Sequence, residues 1–287
     1  MNAKRITLLV IACLATLTFL FLSNWPTAPS SAQDQGLPPS DEQAREALEQ
    51  SPRHGEYIGI EVAGSEQPVN TWVVYPERSE KAPVVIVIHE IFGLTDWIRG
   101  VADQLAEDGF IALAPDLLSG KGPGSGGTES ISTRDEVTRM VRGLTPEEVE
   151  ARLNIVREYG INLPAANGKS ATIGFCWGGS TSFTYAIVQP ELDAAVVYYG
   201  SAPETTTLAS IQAPVLGLYG GDDARVNATI DPAAAEMTRL EKTYQYEIYE
   251  GAGHGFLRAQ SGREGANLAA TQKAWPRTLE FLREHTD

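Results

Sequence analysis

Short β-branched apolar runs alternate with longer stretches that carry one polar face, and this alternation organises the chain from about residue 56 onward. Val84-Val85-Ile86-Val87-Ile88 is uninterrupted by polar residues, which suits a strand covered on both faces. Further strands are expected at Tyr57 to Val62, Thr71 to Tyr75, Phe110 to Ala114, Ser170 to Gly174, Ala194 to Tyr199, Val215 to Tyr219 and Tyr244 to Tyr249. Amphipathic spacing predicts helices at Ile98 to Glu107, Arg134 to Arg142, Pro146 to Tyr159, Trp177 to Val188, Pro232 to Lys242 and Glu264 to Glu284. This succession predicts an α/β fold with a mostly parallel central sheet and helices on both faces. Lys121 to Ser130, rich in Gly and Ser, reads as a mobile loop near the mouth of the site. In such sheets ligands meet the carboxyl ends of the strands, so the loops after Ile88, Gly174, Tyr219 and Tyr249 should converge.

The first residues have a different pattern. Lys4 and Arg5 precede an apolar run from Ile6 to Leu22, and Ser30-Ser31-Ala32 supplies small residues for cleavage. Residues 1–32 therefore read as a signal peptide or N-terminal anchor, and the protein as exported, periplasmic or extracellular. Membrane association is expected only if that segment is retained. Residues 33–55, rich in Pro, Ser, Gln and charge, read as a flexible tether, and residues 56–287 as one catalytic-size domain. A formal net charge of -15 without a basic cluster excludes a nucleic-acid backbone as partner.

The chain has two cysteines, Cys13 and Cys176, and cleavage would remove the first. An exported protein keeping one unpaired thiol calls for either a buried structural residue or a reactive one. Cys176 lies in Gly174-Phe175-Cys176-Trp177-Gly178-Gly179, between an apolar strand and a helix. That is the setting of a G-x-nucleophile-x-G elbow, where a strained turn forces the nucleophile outward. The first N–H groups of the helix, beginning at Trp177, would face a developing oxyanion. His254 follows a strand within a glycine-framed loop, and Asp222 and Asp223 follow another; either carboxylate could orient the imidazole. The order nucleophile, acid, histidine is that of α/β-hydrolases. His54 and His285 read as solvated bystanders. His89-Glu90 is no zinc motif, because position 93 is Gly, and no metal is expected.

Over roughly Gly55 to His285 these residues resemble the dienelactone hydrolases, an α/β-hydrolase family. The likeness rests on Glu90-Ile91-Phe92-Gly93, Pro115-Asp116-Leu117, the cysteine elbow, the G-G-x-D loop ending at Asp223, and Gly253-His254-Gly255-Phe256-Leu257-Arg258. It implies Cys176 as nucleophile, Asp223 as the acid, His254 as the base, and the Ile91 and Trp177 backbone amides as the oxyanion hole. It further implies that Glu90 holds the resting thiol and takes its proton when substrate arrives. Arg258, with Arg134 or alternatively Arg139, would bind a substrate carboxylate. The expected activity is carboxymethylenebutenolidase-type hydrolysis of a small lactone or ester through a thioester, without a cofactor. A carboxylesterase for neutral esters is the second expectation, and a noncatalytic binding protein on the same scaffold the third.

Overall fold

A computed structural model describes residues 36–62 and 67–287; the expected signal or anchor at residues 1–32 lies outside the described residues. Eight strands form one sheet: β1 (Gly55–Ile60), β2 (Val69–Val74), β3 (Ala82–Ile88), β4 (Ile111–Pro115), β5 (Ala166–Phe175), β6 (Ala194–Tyr198), β7 (Val215–Gly220) and β8 (Tyr244–Tyr249). Their order across the sheet is β1-β2-β4-β3-β5-β6-β7-β8. The β1/β2 and β2/β4 pairs are antiparallel and all later pairs parallel. This is the architecture of the α/β-hydrolase fold.

Strand β3 explains why the sheet is sandwiched. All seven of its residues are buried, and they alternate between two cores. Val85 and Val87 face α2 (Asp96–Glu107) and α8 (Ala266–Thr286), packing with Trp97, Val101, Trp275 and Phe281. Val84, Ile86 and Ile88 face α4 (Pro146–Ile161), α5 (Trp177–Val188) and α7 (Ile230–Arg239), packing with Leu153, Val156, Phe183 and Met237. Burial of each such side chain stabilises the fold by roughly 1.5–3 kcal/mol, enough for this strand to fix the register of its neighbours. The helix α3 (Arg134–Arg142) adds a smaller cluster through Val137 and Val141. Among the described residues no helix is long and apolar enough to cross a membrane.

Two expectations are corrected. Residues 36–55 do not form a flexible tether. They carry the helix α1 (Ala44–Gln50), with Ala44 fully buried. The Pro39 carbonyl accepts from Trp97 Nε1 at 3.0 Å. Arg53 grips the buried Asp103 through Nε–Oδ1 at 3.1 Å and Nη2–Oδ2 at 2.5 Å, while Ser51 Oγ donates to Oδ1 at 2.6 Å. The polar composition concealed this strap because its anchors are single residues whose partners lie far away in sequence. The Gly-rich stretch is also pinned. Asp116 accepts from Thr128 N at 2.6 Å and Thr128 Oγ1 at 2.8 Å, and Lys121 Nζ pairs with Glu148 at 2.6 Å. Element ends shift by a few residues elsewhere, as hydrogen bonding rather than apolar content sets them.

Candidate active site

The loops after β3, β5, β7 and β8 carry the residues singled out in the sequence. After β5, the chain turns at Cys176 with φ 56° and ψ -115°, then enters α5. A non-glycine residue at positive φ is strained, and here the turn is held by Cys176 N–H donating to the Tyr198 carbonyl at 3.0 Å. The flanking glycines make room. A Cβ on Gly174 would sit 1.9 Å from the Gly178 carbonyl oxygen, and one on Gly178 would sit 2.3 Å from that of Ile88. Neither clash can be relieved by a side-chain rotation, since both partners are backbone.

The elbow leaves Cys176 part-exposed and unpaired. Burial and the nearby Glu90 carboxylate push its thiol up to about 11, while hydrogen bonds from the Trp177 and Ile91 backbones and the charge of Arg225 oppose that rise. The two amides implied for the oxyanion hole therefore converge on the sulfur.

Asp223 caps the entry to α6 (Ala224–Asn227) and is buried, whereas His254 projects into solvent. His254 Nδ1 lies 2.5 Å from Asp223 Oδ2. That contact fixes the imidazole with Nε2 left for proton transfer. Asp222 instead faces outward to Arg263 Nη1 at 2.8 Å, so of the adjacent aspartates it is Asp223 that pairs with the imidazole. The Tyr199 ring stands edge-on to His254, with centroids 5.2 Å apart.

After β3, Glu90 is 4% exposed. Burial drives its carboxyl up to about 7, Arg258 opposing and Asp41 adding to the rise. Arg258 Nε lies 2.9 Å from Glu90 Oε2, but off-axis for a hydrogen bond, so the contact acts through charge. His89 directs Nδ1 at the Glu90 carbonyl at 2.7 Å and accepts from Leu117 N at 3.3 Å through Nε2. Both ring nitrogens are thus committed to backbone, and complete burial pushes its pKa down. The ring stacks on Trp177, 5.7 Å away, bracing the elbow from the β3 side.

Arg134 and Arg258 come together around Phe92, their guanidinium carbons 4.1 and 5.5 Å from its ring centre. Arg139, the alternative, is an exposed residue on the same helix. Both chosen arginines reach one carboxylate, that of Asp41: Oδ2 is 3.2 Å from Arg258 Nη1 and 3.8 Å from Arg134 Nη2.

Sequence reasoning missed three residues here. Asp41 lay in the presumed tether and carried no motif. Arg225, an exposed residue that donates to Ser201 Oγ at 3.3 Å, is a cation acting on the thiol. Tyr199, at φ 41°, has a buried hydroxyl without a hydrogen-bond partner among the described residues, and its electrostatic neighbours are Glu90, Cys176 and Arg258. Its place at the end of β6, just before Gly200, was the one signal available. The two remaining histidines divide: His54 is solvated beside Glu56, while His285 packs on Phe281 with ring centres 4.6 Å apart.

Comparison with known proteins bears on the whole assembly. Residues 69–286 match the model of the dienelactone hydrolase family. The carboxymethylenebutenolidase of Pseudomonas putida is 30% identical over 204 residues, spanning 70% of this chain and 85% of that protein. A Salmonella typhimurium protein provisionally named a carboxymethylenebutenolidase is 30% identical over 226 residues, covering 73% of this chain and 80% of its own. A crystal structure provisionally titled a dienelactone hydrolase, from Klebsiella pneumoniae, superposes with a TM-score of 0.70 at 25% identity, over 80% of this chain and 98% of that one. The chain belongs to the dienelactone hydrolase family.

Proposed function

We propose that this hydrolase cleaves a small lactone or ester by nucleophilic catalysis at Cys176, with His254 moving protons, Asp223 orienting its imidazole, and Glu90 keeping the thiol neutral until substrate binds. The observation that carries this reading is the position of the sulfur. It sits on a strained elbow with the Ile91 and Trp177 backbones directed at it, so a carbonyl oxygen on an acyl carbon bonded to that sulfur would meet the same donors.

The resting state is inert. With the thiol pushed up to about 11 and Glu90 to about 7, the proton rests on sulfur while no substrate is bound. Proton transfer to Glu90 is therefore coupled to attack, because bonding to the acyl carbon consumes the sulfur charge as it develops. Glu90 then takes the thiol proton and the thiolate attacks the carbonyl carbon. The carbon–oxygen bond of the ester breaks, and the departing oxygen carries that proton away as the alcohol. In the second half, water gives a proton to His254 Nε2 and its oxygen to the acyl carbon. The carbon–sulfur bond breaks and the proton on His254 returns to sulfur. Asp223 steadies the imidazolium between those events.

The test combines kinetics with intact-protein mass. An aryl ester quenched during turnover should leave one acyl group on the wild-type chain and none on Cys176→Ala, whose kcat/KM should fall by roughly 10⁴ or more. Hydrolysis retained by Cys176→Ala would end the reading.

A further inference from the structure

Near the nucleophile, two arginines converge on an aromatic ring, an arrangement suited to a carboxylate. In this chain the position holds a carboxylate of its own. Asp41 Oδ2 faces both Arg258 Nη1, at 3.2 Å, and Arg134 Nη2, at 3.8 Å, while the other side of Arg258 meets Glu90 at 2.9 Å. With Glu90 ionised, two carboxylates balance two guanidinium groups.

Asp41 is no stray surface contact. Its backbone N–H donates to the Arg258 carbonyl at 2.9 Å. The two preceding peptide units are tied as well: the Pro39 carbonyl accepts from Trp97 Nε1 at 3.0 Å and the Pro38 carbonyl from Gln260 Nε2 at 2.9 Å. Ser40 is buried, and α1 follows with Ala44 sealed against the core. The strap thus delivers the Asp41 side chain to the arginines from a backbone fixed on both sides. A substrate carboxylate would have to enter as a third anion, beside Asp41 and Glu90, where both guanidinium groups already face Asp41. Like charges brought together there repel, moderated by water at Asp41 and Arg134, whose side chains are 37% and 59% exposed, and least screened at the buried Glu90.

We propose that Asp41 is a specificity-determining residue: it fills the arginine pair as a built-in carboxylate and turns the enzyme toward substrates whose acyl portion is uncharged. This rests on the reading of Cys176 as nucleophile and narrows it to a substrate class. The expectation from family likeness, an anionic lactone bound by Arg134 and Arg258, is replaced by a neutral lactone or ester.

The experiment uses the full chain and a matched pair of substrates, a carboxymethylene butenolide as its free carboxylate and as its primary amide. Wild type should prefer the amide. In Asp41→Asn the carboxylate-to-amide ratio of kcat/KM should rise by about tenfold or more, mostly through KM, as one competing anion is removed beside two guanidinium groups. Asp41→Ser, which keeps the backbone contact, should behave the same way, and adding Arg134→Ala to either variant should reverse the gain. A ratio favouring the carboxylate in wild type, or one unmoved by both substitutions, overturns the proposal. Cys176→Ala separates the two readings. If it abolishes turnover while Asp41→Asn leaves the ratio unmoved, only the role of Asp41 fails. If it retains turnover, the nucleophile is wrong, and the ratio still judges Asp41.

Discussion

The two halves of the site are built differently. On the β7 and β8 side, Asp223 and His254 each follow a strand end and meet at 2.5 Å through parallel neighbours in one sheet. On the β3 side, Glu90 meets Arg258 from the loop after β8, Arg134 from α3 and Asp41 from the N-terminal strap, joining residues up to 217 positions apart. The first half is an acid–imidazole pair set by local turns at the ends of neighbouring parallel strands. The second depends on long-range docking, so it can be changed without disturbing the first. In the proposed mechanism, chemistry would sit in the one and control of the thiol and of substrate charge in the other.

This contrast can be broken in several ways. The largest effect is expected in the acid–imidazole half: His254→Ala should lower kcat by roughly 10³-fold or more, as loss of a general base does. Intact-mass analysis should then find the acylated enzyme accumulating, because water activation is the step lost. Rapid turnover without an accumulated adduct would break the assignment of the second proton transfer to His254.

Glu90→Gln tests the control half. Its carboxylate raises the thiol, so the variant should alkylate with iodoacetamide faster than wild type at pH 8 while its ester hydrolysis falls by roughly 10²-fold, the value of a positioned proton acceptor. Unchanged alkylation would show that Glu90 does not restrain the sulfur.

A pH prediction follows from the same group. The folded carboxyl is raised from an ordinary value near 4.5 to about 7, so between those pH values the folded state holds a proton that the unfolded chain has lost. Stability from this group is therefore fully present below about pH 4.5 and is lost as pH rises through 7, by up to about 3 kcal/mol. Denaturant melts at pH 5 and pH 8 should diverge by less in Glu90→Gln than in wild type. An equal divergence would place the carboxyl at its ordinary value.

The strap supplies a smaller test. Arg53→Ala leaves the buried Asp103 with only the Ser51 hydroxyl as its side-chain partner and should cost about 2–3 kcal/mol, read as a lower denaturation midpoint. Weakening the strap should also loosen Asp41 and shift the carboxylate-to-amide ratio in the direction of Asp41→Asn. Smallest of all, Asp222→Ala removes only an exposed pair with Arg263. It should change stability by less than about 1 kcal/mol and turnover by less than about threefold, in contrast to the neighbouring Asp223.

What was legible follows the range of the interactions. The five consecutive apolar residues Val84 to Ile88 and the glycines around Cys176 impose their geometry locally, so the buried strand and the elbow could be read directly. Asp222 and Asp223 could not be separated by composition, since facing His254 or facing Arg263 depends on how the β7 and β8 loops lie in space.

The sequence by itself determined a doubly covered, mostly parallel sheet and a cysteine presented at its carboxyl edge, because apolar patterning and the absence of Cβ atoms at two positions act within a few residues. Only the tertiary structure decided that residues 36–55 are packed rather than free, that Arg134 and Arg258 share a ring, and that Asp41 already lies between them. Ion pairs and single anchoring hydrogen bonds leave no periodic trace in a chain, since their partners are chosen by the folded surface and not by neighbours in sequence.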